Sequence, residues 1–118
     1  MLIYKEFRFE AAHRLPNAPA GHKCRRLHGH SFVVGIHVAG AVEEHAGWVL
    51  DFADISDLFA PLYEQLDHRY LNEIEGLDNP TSENIAIWIW RILKPQLPEL
   101  ATVEVKVTCT TGCRYEGE

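Results

Sequence analysis

Residues 28–40 alternate, and two histidines obey the alternation. Phe32, Val34, Ile36 and Val38 fall on one face of a strand drawn through this stretch, and His28 and His30 share their parity. Side chains at i and i+2 of a strand point the same way, about 6.6 Å apart. Residues 3–14 alternate too, with Phe7, Phe9, Ala11 and His13 on one face and Glu6, Arg8, Glu10 and Ala12 on the other. If the two strands pair, three imidazoles meet on the side that the rest of the chain must cover. Unpaired polar rings on a buried face are costly, so the pattern points to a bound cation. Zinc takes neutral imidazole nitrogens, and no multi-cysteine cage is present to suggest a softer site. Three protein ligands with an open fourth position mark a catalytic rather than a structural centre. A four-ligand structural site that also uses Cys24 is the alternative.

Cys24 lies between these strands, crowded by His22, Lys23, Arg25 and Arg26. A thiol beside cations loses its proton more easily, which suits Cys24 to act as base or nucleophile. The basic island stands out because the net charge is −6. That balance argues against nucleic acid or an anionic membrane as a general partner and suits a small anionic ligand at the island. The 118 residues fit one domain, 1–118, whose modest core makes oligomerisation a natural remedy. Three cysteines, Cys24, Cys109 and Cys113, make an odd count, and the N-terminus enters alternating structure with no apolar leader. No run is long enough to span a bilayer, so a reduced, cytoplasmic protein is expected. Cys109 and Cys113 read as structural or incidental, His37 as a satisfied core residue, and His22 and His45 as loop residues.

Asp51 or Asp54 is expected to cap a first helix, whose apolar stripe is Ile55, Leu58, Phe59, Leu62 and Leu66. Its end near Leu66 delivers Asp67-His68, either a plain helix C-terminus where the macrodipole favours His or an acid–base pair in which the carboxylate fixes the imidazole's tautomer and raises its basicity. Thr81 or Ser82 caps a second helix, with Glu83 or Asn84 in its first turn and Ile85, Trp88, Ile89, Ile92 and Leu93 as its stripe. Pro95 and Pro98 end it. Val103, Val105 and Val107 form a third strand, Thr110, Thr111 and Gly112 a turn, and Arg114-Tyr115-Glu116 a fourth strand. The order ββααββ predicts an α+β fold, a four-stranded antiparallel sheet with two helices on one face.

Phe9-Glu10-Ala11-Ala12-His13-Arg14-Leu15, the Cys24-x3-His28-Gly29-His30 segment, Leu66-Asp67-His68, Pro80-Thr81-Ser82-Glu83-Asn84 and Tyr115-Glu116-Gly117-Glu118 together resemble the 6-pyruvoyltetrahydropterin synthase family. The resemblance runs in order over nearly the whole chain. The three-residue gap between Cys24 and His28 is similar to that of the bacterial 6-carboxytetrahydropterin synthases of queuosine biosynthesis. The resemblance implies a tunnelling fold in which three subunits close a barrel and two trimers stack into a hexamer, with active sites between subunits. By match, His13, His28 and His30 would hold zinc, Cys24 would be the proton-abstracting thiolate, and Asp67 with His68 would complete the acid–base set, in part from a different subunit. The implied substrate is dihydroneopterin triphosphate, converted to 6-carboxytetrahydropterin with loss of acetaldehyde and triphosphate. From charge alone, Lys23, Arg25, Arg26 and Arg14 are expected to meet the triphosphate, and Thr81 and Ser82 would line the pterin pocket at the helix N-terminus.

The chain departs from the family at one position. Members usually carry a glutamate in the third strand, in a pattern like Glu-Thr-Cys-Thr, to anchor the pterin edge. The matching segment here is Val107-Thr108-Cys109-Thr110, and a valine accepts no hydrogen bond. Either another carboxylate stands in, with Glu104 and Glu10 as the candidates, or the substrate differs, or the chain is a weak relative.

Overall fold

The computed structural model describes residues 1–118. Five strands form one sheet: β1 (Leu2–His13), β2 (His28–Ala39), β3 (Arg69–Tyr70), β4 (Leu100–Lys106) and β5 (Gly112–Tyr115), in spatial order β3-β1-β2-β4-β5. Two helices, α1 (Phe52–Leu66) and α2 (Ser82–Leu93), pack against it. This is the expected α+β arrangement with one strand more than the four read from sequence. The extra strand, β3, has two residues and runs parallel to β1 at Ala11 and Ala12. Two residues carry no periodicity, so nothing in the chain announces it.

Alternation decides which face is covered. β1 and β2 pair antiparallel along their whole length, from Leu2–Ala39 to His13–His28. Phe9, Ala11 and His13 of β1 are buried together with Phe32, Val34, Ile36 and Val38 of β2 and Val103 and Val105 of β4. Helix α1 contributes Ile55, Phe59, Leu62 and Leu66 to the same core, and α2 contributes Ile85, Ala86, Ile89 and Leu93. Asp51 caps α1 by accepting from the Ala53 N–H at 2.9 Å, and Thr81 caps α2 by accepting from the Asn84 N–H at 3.1 Å. In both helices the first of the two expected residues is the cap, because only there is the backbone still extended.

The opposite face of the sheet carries Glu6, Arg8, Glu10, Ser31, His37, Glu104, Lys106 and Arg114, with no helix over it. His37 corrects the sequence reading. Its parity sets it on this uncovered face, half-buried, with its ring edge-on to Tyr4 at 5.2 Å, rather than in the core. Glu104 is nearly buried here. Burial pushes its carboxyl up, but the Arg114 hydrogen bond and charge, helped by Lys106, outweigh that and hold it below the ordinary glutamate range.

After β5 the chain turns back over α2. Tyr115 meets Trp90 edge-on at 5.5 Å, and Gly117 follows at φ +88°. A Cβ at Gly117 would lie 2.5 Å from Trp90 Cζ2. Gly117→Ala therefore combines a left-handed backbone with a steric clash, and thermal unfolding should show a loss of about 1–3 kcal/mol. An unchanged melting temperature would mean that this tail contributes nothing to stability.

Candidate metal centre and active site

His13, His28 and His30 converge. His13 and His28 are direct cross-strand partners, and His30 is two residues along β2, opposite Ala11. Their ring centroids are 4.6 Å apart for His13–His28, 4.8 Å for His28–His30 and 5.2 Å for His13–His30. One ligand atom from each ring lies within 4.8 Å of the others. A zinc ion with Zn–N near 2.0–2.1 Å would hold such nitrogens about 3.4 Å apart, so small ring rotations close the site.

Two rings are already oriented by their other nitrogen. His13 Nδ1 lies 2.9 Å from the Pro80 carbonyl oxygen, and His28 Nδ1 lies 2.7 Å from the Arg26 carbonyl oxygen. A carbonyl only accepts, so each Nδ1 carries the proton and each Nε2 keeps a free lone pair, the outer-shell arrangement of metal-binding histidines. His13 Nε2 is buried with no hydrogen-bond partner. Burial also lowers the pKa of His13 and of His30, and nearby His28 adds to the effect, so both rings favour the neutral, ligating form. An orphaned buried lone pair beside two further imidazoles fits a cation and is otherwise a cost.

Cys24 is outside this cluster. It occupies the middle of a short 3-10 turn, Lys23–Arg25, and is half-buried. Its N–H donates to His22 Nδ1 at 3.1 Å, and its carbonyl accepts from the Leu15 N–H at 2.7 Å. His22, expected only as a loop residue, is thus the cap of the Cys24 turn. Lys23, Arg25, Arg26 and Arg14 are all exposed around it. Arg25 is partly committed, donating from Nη1 to the Ala18 carbonyl at 3.1 Å.

Asp67 and His68 form a pair at the far edge of β1. Asp67 Oδ2 lies 2.9 Å from His68 Nδ1, and Asp67 Oδ1 accepts from the Glu10 N–H at 3.0 Å. The Glu10 N–H, followed by His68, holds the Asp67 carboxyl below the usual aspartate range. His68 is exposed and adopts φ +58°, a left-handed conformation unusual for a side chain of this size. It borders a shallow depression whose lining includes Glu10, His30, Ser31, Arg69 and Tyr70. Within one chain the acid–base pair is at the outer edge of β1 and is not part of the histidine cluster.

The N-terminus of α2 abuts the histidines, since Pro80 holds His13. Thr81 and Ser82 are half-buried there. Val107 lies just past β4, packed against the core on the parity of Val103 and Val105. The two carboxylates expected to replace the family glutamate do not reach it. Glu10 accepts from Ser31 Oγ at 2.6 and 2.8 Å, and Glu104 is held by Arg114, both on the uncovered face. Even-numbered residues of β1 and β4 point away from the histidines, which is why neither can swing in. The carboxylate the sequence reading passed over is Glu83. It is exposed in the first turn of α2, beside Ser82 at 2.7 Å, and its charge reaches Cys113 on β5. Its position one residue past Ser82 was the available signal, there read only as part of a cap.

The family model described as 6-pyruvoyl tetrahydropterin synthase matches residues 2–118. The chain belongs to this family. A Synechocystis protein named 6-carboxy-5,6,7,8-tetrahydropterin synthase is 48% identical over 97% of this chain and 92% of its own length. A Pyrococcus furiosus protein named dihydroneopterin monophosphate aldolase is 38% identical over 82% of this chain and 77% of its own. The solved structure of 6-pyruvoyl tetrahydropterin synthase from Caenorhabditis elegans superposes with a TM-score of 0.91 at 27% identity, covering 100% of this chain and 96% of that one. The family fold expected from the sequence motifs is thus the fold observed. No helix is long and apolar enough to cross a membrane.

Proposed function

We propose that this pterin-synthase-family chain is a zinc-dependent lyase that converts dihydroneopterin triphosphate and water to 6-carboxytetrahydropterin, acetaldehyde and triphosphate, in the route to queuosine. The observation that carries the chemistry is the histidine triad, with a buried, unpartnered Nε2 on His13 and carbonyl-oriented Nδ1 atoms on His13 and His28. The 48% identity to the Synechocystis enzyme supports the choice of substrate. His13, His28 and His30 would hold the zinc ion, which when bound supplies Lewis acidity to the hydroxyls of the substrate side chain.

The other residues have separable roles. Cys24 takes a proton from the substrate side chain, its position fixed through its own backbone. His68 moves the second proton at Nε2, with Asp67 at Nδ1 holding the tautomer. Lys23, Arg25, Arg26 and Arg14 receive the triphosphate as charge-assisted donors. Thr81 and Ser82 line the pterin pocket. The family resemblance implies active sites between subunits, and on that reading the pair, which is not part of its own chain's histidine cluster, acts in the site of a neighbouring subunit, in a trimer or hexamer. The reading places this work in the cytoplasm, with no nucleic acid or membrane partner.

Val107 leaves the pterin edge without the family's carboxylate, and Glu83, in the first turn of α2 beside Ser82, is the acceptor we assign to it. If the pterin edge donates to Glu83, Glu83→Gln should weaken pterin binding by about tenfold, the cost of removing one charge-assisted hydrogen bond at an exposed carboxylate. Val107→Glu should tighten it. Titration curves that neither substitution moves would remove both positions from pterin recognition.

The Pyrococcus relative's name favours a second reading, carbon–carbon cleavage of a phosphorylated dihydroneopterin with the phosphate ester left intact. Product analysis separates the cases. Acetaldehyde with free triphosphate supports the proposed lyase. Triphosphate without carbon loss indicates elimination to a pyruvoyl side chain. A phosphorylated carbon fragment indicates the aldolase. No turnover with intact metal indicates a non-catalytic zinc-stabilised module.

A further inference from the structure

The outer edge of β1 is closed mostly by side chains. In a strand the N–H and C=O of one residue serve the same edge, and alternate residues serve alternate edges. On β1 the residues that face away from β2 at its C-terminal end are met one after another by the last turn of α1 and the α1–α2 connector. The Tyr63 hydroxyl donates to the Arg8 carbonyl at 2.9 Å. Asp67 Oδ1 takes the Glu10 N–H at 3.0 Å, and the His68 N–H donates to the Glu10 carbonyl at 2.6 Å. β3 follows against Ala11 and Ala12. Asn72 ends the row, accepting from the Arg14 N–H at 3.0 Å and donating to the Arg14 carbonyl at 2.8 Å.

Tyr63 occupies the point where this row meets α1. Its carbonyl accepts the Asp67 N–H at 2.9 Å, ending the helix on Asp67. Its hydroxyl is committed to Arg8, and the Asp67 carboxylate that this turn delivers is taken up by the Glu10 N–H and His68 Nδ1. Its ring is half-buried and edge-on to Phe59 at 6.5 Å. His68, strained at φ +58°, follows directly, so the direction of its imidazole depends on where Asp67 is held.

We propose that Tyr63 is a positioning residue for the Asp67–His68 pair. By tying the last turn of α1 to β1 at Arg8, it holds the Asp67 carboxylate where Oδ2 selects the Nδ1–H tautomer of His68 and leaves Nε2 as the nitrogen that exchanges protons. This rests on the acid–base reading of the pair given above.

The test is 15N NMR of His68 in the full-length protein, with turnover of dihydroneopterin triphosphate as a second readout. Wild type should show His68 mainly as Nδ1–H, against the intrinsic preference of a neutral histidine for Nε2–H. Tyr63→Phe keeps the ring and its contact with Phe59. It should relax His68 toward Nε2–H and lower kcat about tenfold at unchanged KM, as a slightly misplaced catalytic group does. In an Asp67→Asn background the same substitution should change neither quantity further. A His68 tautomer unchanged in Tyr63→Phe overturns the proposal, and if the melting temperature falls at the same time the role is merely structural. Should wild type not turn over the pterin, the functional reading fails while the tautomer still decides the role of Tyr63.

Discussion

Replacing His28 by alanine should strip the metal from the protein and turnover with it. His28 is the triad member whose removal disturbs the fold least. It is half-buried, whereas His13 is 3% exposed and wedged against Pro80. Loss of one of three ligands should cost far more than the roughly 10–100-fold that follows loss of an outer partner. Elemental analysis of purified protein should find zinc in wild type and almost none in His28→Ala, with the far-UV spectrum retained. Zinc at the wild-type ratio in the variant would mean that the three rings do not share one ion.

Cys24→Ala should leave the metal in place and still cut turnover by about 10²–10⁴-fold, the range for a missing acid–base group. The prediction is sharp because the hydrogen bonds that hold Cys24 come from its backbone. The N–H to His22 and the carbonyl to Leu15 both survive in alanine. Only the sulfur is removed, so a catalytic defect would not be a folding defect. If the metal leaves with the sulfur, Cys24 is a fourth ligand and the centre is structural. Near-normal turnover with metal retained would remove Cys24 from the chemistry altogether.

The two substitutions test different levels of inference from the chain. The convergence of the histidines was legible because strand parity is strict. His28, His30 and Phe32 share a face with His13 only in a register that pairs β1 with β2. Helix ends were legible because Asp51 and Thr81 are short polar residues just before apolar stripes. The same parity sets His37, Glu10 and Glu104 opposite the triad; only residue type makes His37 a core histidine, and only carboxylate chemistry makes the two glutamates candidates for the pterin edge. The contacts of Glu83 and Tyr63 were out of reach for another reason. Each acts on residues separated in sequence and joined by packing, Glu83 on β5 and Tyr63 on Arg8 of β1.

The sequence by itself determined the alternation of β1 and β2, the two capped amphipathic helices and the three imidazoles on the covered face, because each follows from a local period that the covered core must obey. Tertiary structure alone decided that Asp67–His68 hooks onto the outer edge of β1, outside the triad, and that Pro80 orients the His13 ring. Those contacts join residues up to 67 positions apart through main-chain groups. Every residue carries the same backbone N–H and C=O apart from proline's missing hydrogen, so their pairing leaves almost no mark in the order of side chains.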